Sequence, residues 1–320
     1  MLEEFYQNRQ LILKKSQEFF LNSSSLIPKI GCELEFFLFE NNSKLPVSLA
    51  LLNNFIFDLE KELNKKFLLI YKVEKEQGVS QIEIKSNFTS DLLKLCDELQ
   101  KAKNFIKDFA CKKNFSASFA AQPLKQDCGS AMQFNISLHD KNDKNLFDSD
   151  EKLLKNIAGA LLKLTDAMMV FLAPQEEDYA RFCLKTNRDL FKRGKFSAPV
   201  NLSFGNDNRT CAIRIPNIYN NFRRISGDKN GKRLEYRVAA ANSDFFLVIA
   251  AMLLAVSTGI KNEEFSLKTI YGNAFDENYY SKDYQIKNFC SNFKEAKQNF
   301  LQEENFIRKS FLKFLRNRHN

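Results

Sequence analysis

Residues 31–40 read GCELEFFLFE, with two glutamates one position apart inside an otherwise apolar run. In a strand, successive side chains alternate between faces. Glu33, Glu35, Phe37 and Phe39 therefore share one face, while Leu34, Phe36 and Leu38 share the other. The two carboxylates then stand roughly 6.5 Å apart along the chain. On a covered face they repel each other and lose hydration, so the fold has to supply a partner: arginines, a divalent cation, or water at an exposed edge.

The same period of two returns in three later stretches. VEKEQGVSQIEI carries Glu76 before a glycine turn at Gly78 and places Gln81 and Glu83 on one face of the strand that follows. In SAMQFNISL, Met132, Phe134, Ile136 and Leu138 face one way and Gln133, Asn135 and Ser137 the other. KRLEYRV aligns Arg233, Glu235 and Arg237. Between them NRTCAIRIP contributes Arg209 and Arg214, whose spacing of five puts them on opposite faces of an ideal strand. If the two converge, Arg209 belongs to the preceding loop.

Helical spacing covers residues 2–21, 46–65, 90–112 and 151–171. Strand-like LLIYKVE and QIEIK lie between the second and third helices, and short strand candidates follow at VNLSF, CAIRIP and RLEYRV. The apolar run FFLVIAAMLLAVSTGI at 245–260 is shorter than the roughly 20 residues that span a bilayer, so it reads as a buried core helix. A helical basic tail is expected over 281–320; the Phe and Leu spacing of KSFLKFLRNRHN gives it one apolar and one cationic face. Such a face packs on its parent domain more often than it binds a membrane or nucleic acid. Strands and helices come in blocks without regular β-α-β alternation and without a linker, which predicts a single α+β domain over 1–320 with a curved, largely antiparallel sheet flanked by helices.

Several chemistries are excluded early. Two histidines, His139 and His319, are too few for most histidine triads or His-rich zinc sites. Seven cysteines, far apart and without a CxxC pair, read as reduced thiols of a cytoplasmic protein. There is no glycine-rich phosphate loop, so any nucleotide has to be held by metal and arginine. The net charge of +9 comes from lysine spread along a chain rich in Asn, Phe and Ile, a composition that an AT-rich genome produces, and neither a nucleic acid nor a membrane is expected as partner. The acidic amino terminus shows no signal peptide.

Five carboxylates on strand-like segments, Glu33, Glu35, Glu76, Glu83 and Glu235, have the donor type for one or two hard cations such as Mg²⁺ or Mn²⁺. The arginines suit phosphate and carboxylate oxygens. From spacing alone, a ladder of salt bridges across a sheet accounts for the same residues equally well.

The ordered set GCELEFFLF, EQGVSQIEI, CGSAMQFNISL, APVNLSFGNDNRTCAIRIP and KRLEYRVAAANSDFFLVIAAMLLA resembles the catalytic domain of the glutamine synthetase family over about residues 30–260. The resemblance implies a funnel-shaped site in which ATP phosphorylates a γ-carboxylate and an amine displaces the phosphate. It implies that Glu35, Glu76 and Glu83 bind the metal nearest the acceptor, and that Glu33 and Glu235, with Gln133 in the third place, bind the metal that orients ATP. It gives Arg181, Arg237, Gly129 and Gln81 to the amino-acid substrate, and Arg209, Arg214, Arg233 and Asn135 to the nucleotide, with Arg209 and Arg237 acting in catalysis. Glu33 and Glu35 would tolerate each other because each faces a cation.

Departures from the family pattern sharpen the expectation. Gln133 and Asn135 stand where histidines are usual, Cys128 replaces an asparagine, and Ser197 replaces the glutamate that helps to hold and deprotonate ammonium. The chain begins where the catalytic domain begins, so the family's amino-terminal β-grasp domain and its ring oligomer are not expected. Cys128 and His139 form no expected nucleophilic pair. The expectation is an ATP-dependent ligase joining glutamate or a related carboxylate to an amine other than simple ammonia. A relative that binds nucleotide or amino acid without turnover is the alternative.

Overall fold

The computed structural model describes residues 1–216, 231–261, 267–276 and 286–317. His319 and parts of the basic tail lie outside them. Among the described residues eight strands form one sheet: β1 (Ile27–Glu40), β2 (Ile70–Lys75), β3 (Gln81–Ser86), β4 (Phe115–Ser118), β5 (Met132–His139), β6 (Phe204–Asn206), β7 (Ile213–Ile215) and β8 (Leu234–Tyr236). Their order is β2-β3-β1-β5-β8-β7-β6, with β4 also on β1. Every pairing is antiparallel except β6 with β7. The α+β class and the largely antiparallel sheet expected from the sequence are present.

The alternation read from the sequence sets the two faces. Leu34, Phe36, Leu38, Ile82, Ile84, Met132, Phe134, Ile136, Leu138, Leu234 and Tyr236 are wholly buried and belong to one continuous core. That core also holds α7 (Phe245–Lys261), which is apolar on every side and so sits among α2 (Arg9–Ser24), α4 (Leu92–Lys112) and α5 (Glu151–Leu172), while α3 (Leu49–Lys66) packs on β2. No helix among the described residues is long and apolar enough to cross a membrane.

Some boundaries differ from the sequence reading. The first helix is broken into α1 (Leu2–Gln7) and α2 at Asn8, whose side chain bonds back to Glu4 O at 2.7 Å and competes with the helical ladder. β1 begins at Ile27 and includes Pro28, paired opposite Leu138. VNLSF is mostly irregular, and the strand there is only Phe204–Asn206. Neither β4 nor α6 (Leu184–Lys192) was expected. The tail contains α8 (Phe293–Leu301) and α9 (Phe306–Arg316). Its apolar side packs inward, with Phe311 against Phe5 and Phe171 at 5.6 and 5.5 Å between ring centroids.

Candidate active site

The second face of the sheet is polar across six strands. Glu74 lies opposite Glu83, and Glu83 opposite Glu35; Lys85 lies opposite Glu33, and Glu33 opposite Gln133; Asn135 lies opposite Glu235, and Glu235 opposite Arg214. Along the sheet the face therefore grades from carboxylates on β2, β3 and β1, through amides on β5, to Arg214 on β7 and to Glu235 on β8 with Arg233 and Arg237 flanking that strand. It floors a cleft of about 930 Å³. Every residue expected at the site except Asn135 lines that cleft, and Asn135 is buried beside Glu33. Arg209 sits in the loop between β6 and β7 and shares the cleft with Arg214 on β7, as the spacing required.

The two opening glutamates are met by amides. Glu35 Oε1 accepts from Gln133 Nε2 at 2.8 Å; Oε2 accepts from Gln81 Nε2 at 2.9 Å and from the Ala131 N–H at 2.8 Å. Glu33 accepts from Asn135 Nδ2 at 3.1 Å. These neutral donors hold both carboxylates without cancelling their charge. Burial, reinforced by Glu76, pushes the Glu35 carboxyl up to about 7 against the Ala131 N–H, Arg181 and Arg237. Burial raises Glu76 as well, and burial with repulsion from Glu33 raises Glu83 well above the usual range. Glu83 Oε2 is buried and accepts no hydrogen bond, although Lys85 Nζ lies 3.0 Å away.

Arginine dominates the other end. Glu235 is bridged by Arg237, in a very short contact, and by Arg214 Nη1 at 2.8 Å. Burial alone would raise its carboxyl, but Arg237 and Arg214 outweigh that and hold it below its ordinary value. Arg237 Nη1 also donates to Gln133 Oε1 at 2.7 Å. Arg214 pairs closely with Asp207, and Arg233 Nε donates to Asn135 Oδ1 at 2.9 Å.

Two residues expected to meet substrate line the cleft and also make structural contacts beside it. Arg181 donates through Nη1 to Val238 O at 2.7 Å and through Nη2 to Arg237 O at 2.9 Å, so its fork fixes the end of β8. Burial lowers its pKa to about 10. The Gly129 N–H donates to Ser197 Oγ at 2.9 Å, and its carbonyl accepts from Gln81 at 3.0 Å. A Cβ at Gly129 would lie 2.7 Å from Arg181 Cγ and 2.8 Å from Ala121 O, which explains the glycine by close packing. Cys128 is buried, with its thiol pushed up to about 12 mainly by burial; His139 bonds Ser137 and Asp143 at the far end of β5.

The two metal sets expected from the resemblance fare differently. Glu33, Gln133 and Glu235 do not fit a divalent cation, because Gln133 and Glu235 are engaged by Arg237 and the other Gln133 amide group by Glu35. Glu35, Glu76 and Glu83 fit by donor type and by unmet charge: all three carboxyls are raised, and Glu83 keeps a buried oxygen without a hydrogen bond. Among the described residues no three acidic, His or Cys groups already converge as a metal cage. The sequence reading missed Lys85, Glu74 and Asp207, which line the same cleft. Lys85 is two positions beyond Glu83 and Glu74 two before Glu76, so the period of two that placed their neighbours also places them.

Comparison with known proteins identifies the family of this chain. Residues 46–317 match the family described as glutamine synthetase, catalytic domain. Gamma-glutamylputrescine synthetase PuuA of Escherichia coli is 27% identical over 284 residues, covering 80% of this chain and 56% of that protein. A Sulfolobus acidocaldarius glutamine synthetase is 30% identical over 235 residues, covering 69% of this chain and 45% of that protein. The chain thus spans about half the length of these curated relatives. Among solved structures, a GmaS/ADP complex aligns with a TM-score of 0.75 at 18% identity, over 96% of this chain and 72% of that one. Plasmodium falciparum glutamine synthetase aligns with a TM-score of 0.70 at 19% identity, over 96% and 75%. On the family match, the chain belongs to the glutamine synthetase family, through its catalytic domain.

Proposed function

We propose that the cleft joins a γ-carboxylate, of glutamate or a closely related acid, to an amine other than simple ammonia at the expense of ATP. The observation that carries this reading is the grading of one sheet face from carboxylates to arginines inside a single cleft. Phosphoryl transfer requires positioning and charge neutralisation more than covalent chemistry, and such a face offers both. The γ-phosphoryl group passes to an oxygen of the carboxylate and ADP departs. The amine nitrogen then attacks the acyl carbon, phosphate leaves with that oxygen, and the nitrogen loses a proton. A hard divalent cation held by Glu35, Glu76 and Glu83 would supply charge neutralisation near the acceptor. Arg209, Arg214 and Arg233, which line the cleft, would meet the phosphates, and Arg237 donates to Gln133 between them and the carboxylates.

The choice of amine follows from Ser197. Its hydroxyl accepts from Gly129 N–H, so a small neutral group stands there in place of a carboxylate that would favour ammonium. PuuA carries the name of a gamma-glutamylputrescine synthetase, which supports an organic amine as acceptor here. A second reading, nucleotide or amino-acid binding without turnover, is favoured by the engagement of Gln133 and Glu235 with Arg237.

Phosphate release from ATP with glutamate and a panel of amines separates the two. Release is expected to depend on an alkylamine and to fall by roughly 100-fold or more in both Glu35→Ala and Arg237→Ala. ATP binding without release under any amine would establish the second reading instead.

A further inference from the structure

Across the floor of the cleft, Lys85, Glu33 and Gln133 lie directly opposite one another on β3, β1 and β5, and Arg237, just past the end of β8, donates to Gln133. Cations therefore stand at both ends of this row. The Lys85 ammonium lies 2.5 Å from Glu74 and 3.0 Å from Glu83 Oε2, with only about a quarter of its side chain exposed. The Arg237 guanidinium is buried and bridges Gln133 to Glu235, whose second oxygen meets Arg214 at 2.8 Å. Glu33 receives an amide from Asn135.

We propose that Arg237, with Arg214, stands in for a second divalent ion around Glu33, Gln133 and Glu235, while Lys85 competes for the one place left at Glu83, so that the cleft takes up no more than one such ion. A divalent cation needs oxygen lone pairs that face it. Gln133 turns its oxygen to Arg237 and its amino group to Glu35, and Glu235 is held between two guanidinium groups. A guanidinium cannot give up its proton to make room, so an incoming ion would have to displace it bodily. On the other side the Glu83 oxygen without a hydrogen bond leaves a place for one ion, in competition with the Lys85 ammonium. The cleft's lining is close to charge balance as it stands, with seven acidic and six basic side chains.

The test is a titration of metal-free protein with Mn²⁺ alone, counting bound ions by the electron paramagnetic resonance signal of the free ion. The wild-type chain is expected to bind at most one. Lys85→Met, which removes the competing cation at nearly constant volume, is expected to bind Mn²⁺ roughly tenfold more tightly or to take up an additional ion. Two ions on the wild-type chain would overturn the proposal, as would a Lys85→Met protein whose uptake matches the wild type. The wild-type count needs no variant, so misfolding of Lys85→Met leaves the test intact. Uptake is read with neither ATP nor amine present: it can fail while the ligase reading stands, and the reverse.

Discussion

Glu35 shows how a buried acid can be hydrogen-bonded and still hold an unfavourable charge. Three neutral N–H donors reach its two oxygens, yet burial and Glu76 keep its carboxyl at about 7, well above the ordinary value of 4.5. Between those two values the unfolded chain binds fewer protons than the folded one, so stability falls as pH rises from about 4.5 to about 7 and levels off above. Glu76 and Glu83 act in the same direction. For Glu35 alone the loss is on the order of 3 kcal/mol. Urea denaturation at pH 5 and pH 8 is expected to show a less stable metal-free protein at pH 8, with Glu35→Gln removing much of that difference. A profile that rises with pH, or one that Glu35→Gln leaves unchanged, would contradict the account. That Glu33 and Glu35 face the same way was legible from their spacing. That their donors are Asn135, Gln133 and Gln81 was not, because each of those amides lies on another strand.

Short elements at the arginine end are stable only through what they pack against. β8 is three residues long; its middle residue Glu235 and Arg237, which follows it, face the cleft, while Tyr236 points into the core. Tyr236 hydrogen-bonds Thr165 on α5 at 2.8 Å, and Thr165 Oγ1 donates to Leu161 O at 2.7 Å, which leaves the tyrosine hydroxyl as the donor between them. Tyr236→Phe should therefore cost about 1 kcal/mol in chemical denaturation, since Thr165 keeps its own acceptor. No loss at all, or a loss above about 3 kcal/mol, would mean that this bond does not tie β8 to α5 as described. The period of two in KRLEYRV gave the faces of β8 correctly. VNLSF and the break at Asn8 were misread because a three-residue strand and a side chain competing with the helical ladder leave little trace in periodicity.

At the scale of the molecule, the two ends of the chain share one aromatic cluster: Phe5 meets Phe171, Phe300 and Phe311 edge to face, at 6.4, 6.1 and 5.6 Å. The basic tail is thereby used for packing, and its cationic side is what remains outside. Phe311→Ala is expected to cost about 3–5 kcal/mol, with a correspondingly lower melting temperature and no change in the order of amine preference. A change below about 1 kcal/mol would show that α9 is not part of the cooperative core. The sequence by itself determined the α+β class, the buried helix read at 245–260, and the cleft-facing side of β1, β3, β5 and β8. Those follow from local alternation, helical spacing and length, which the chain carries within a few residues. Only the tertiary structure decided which charge meets which partner: Gln133 reaches Glu35 across 98 positions and Arg237 reaches Gln133 across 104. Such pairings depend on strand order and register, which the packing of the whole core selects and no local pattern records.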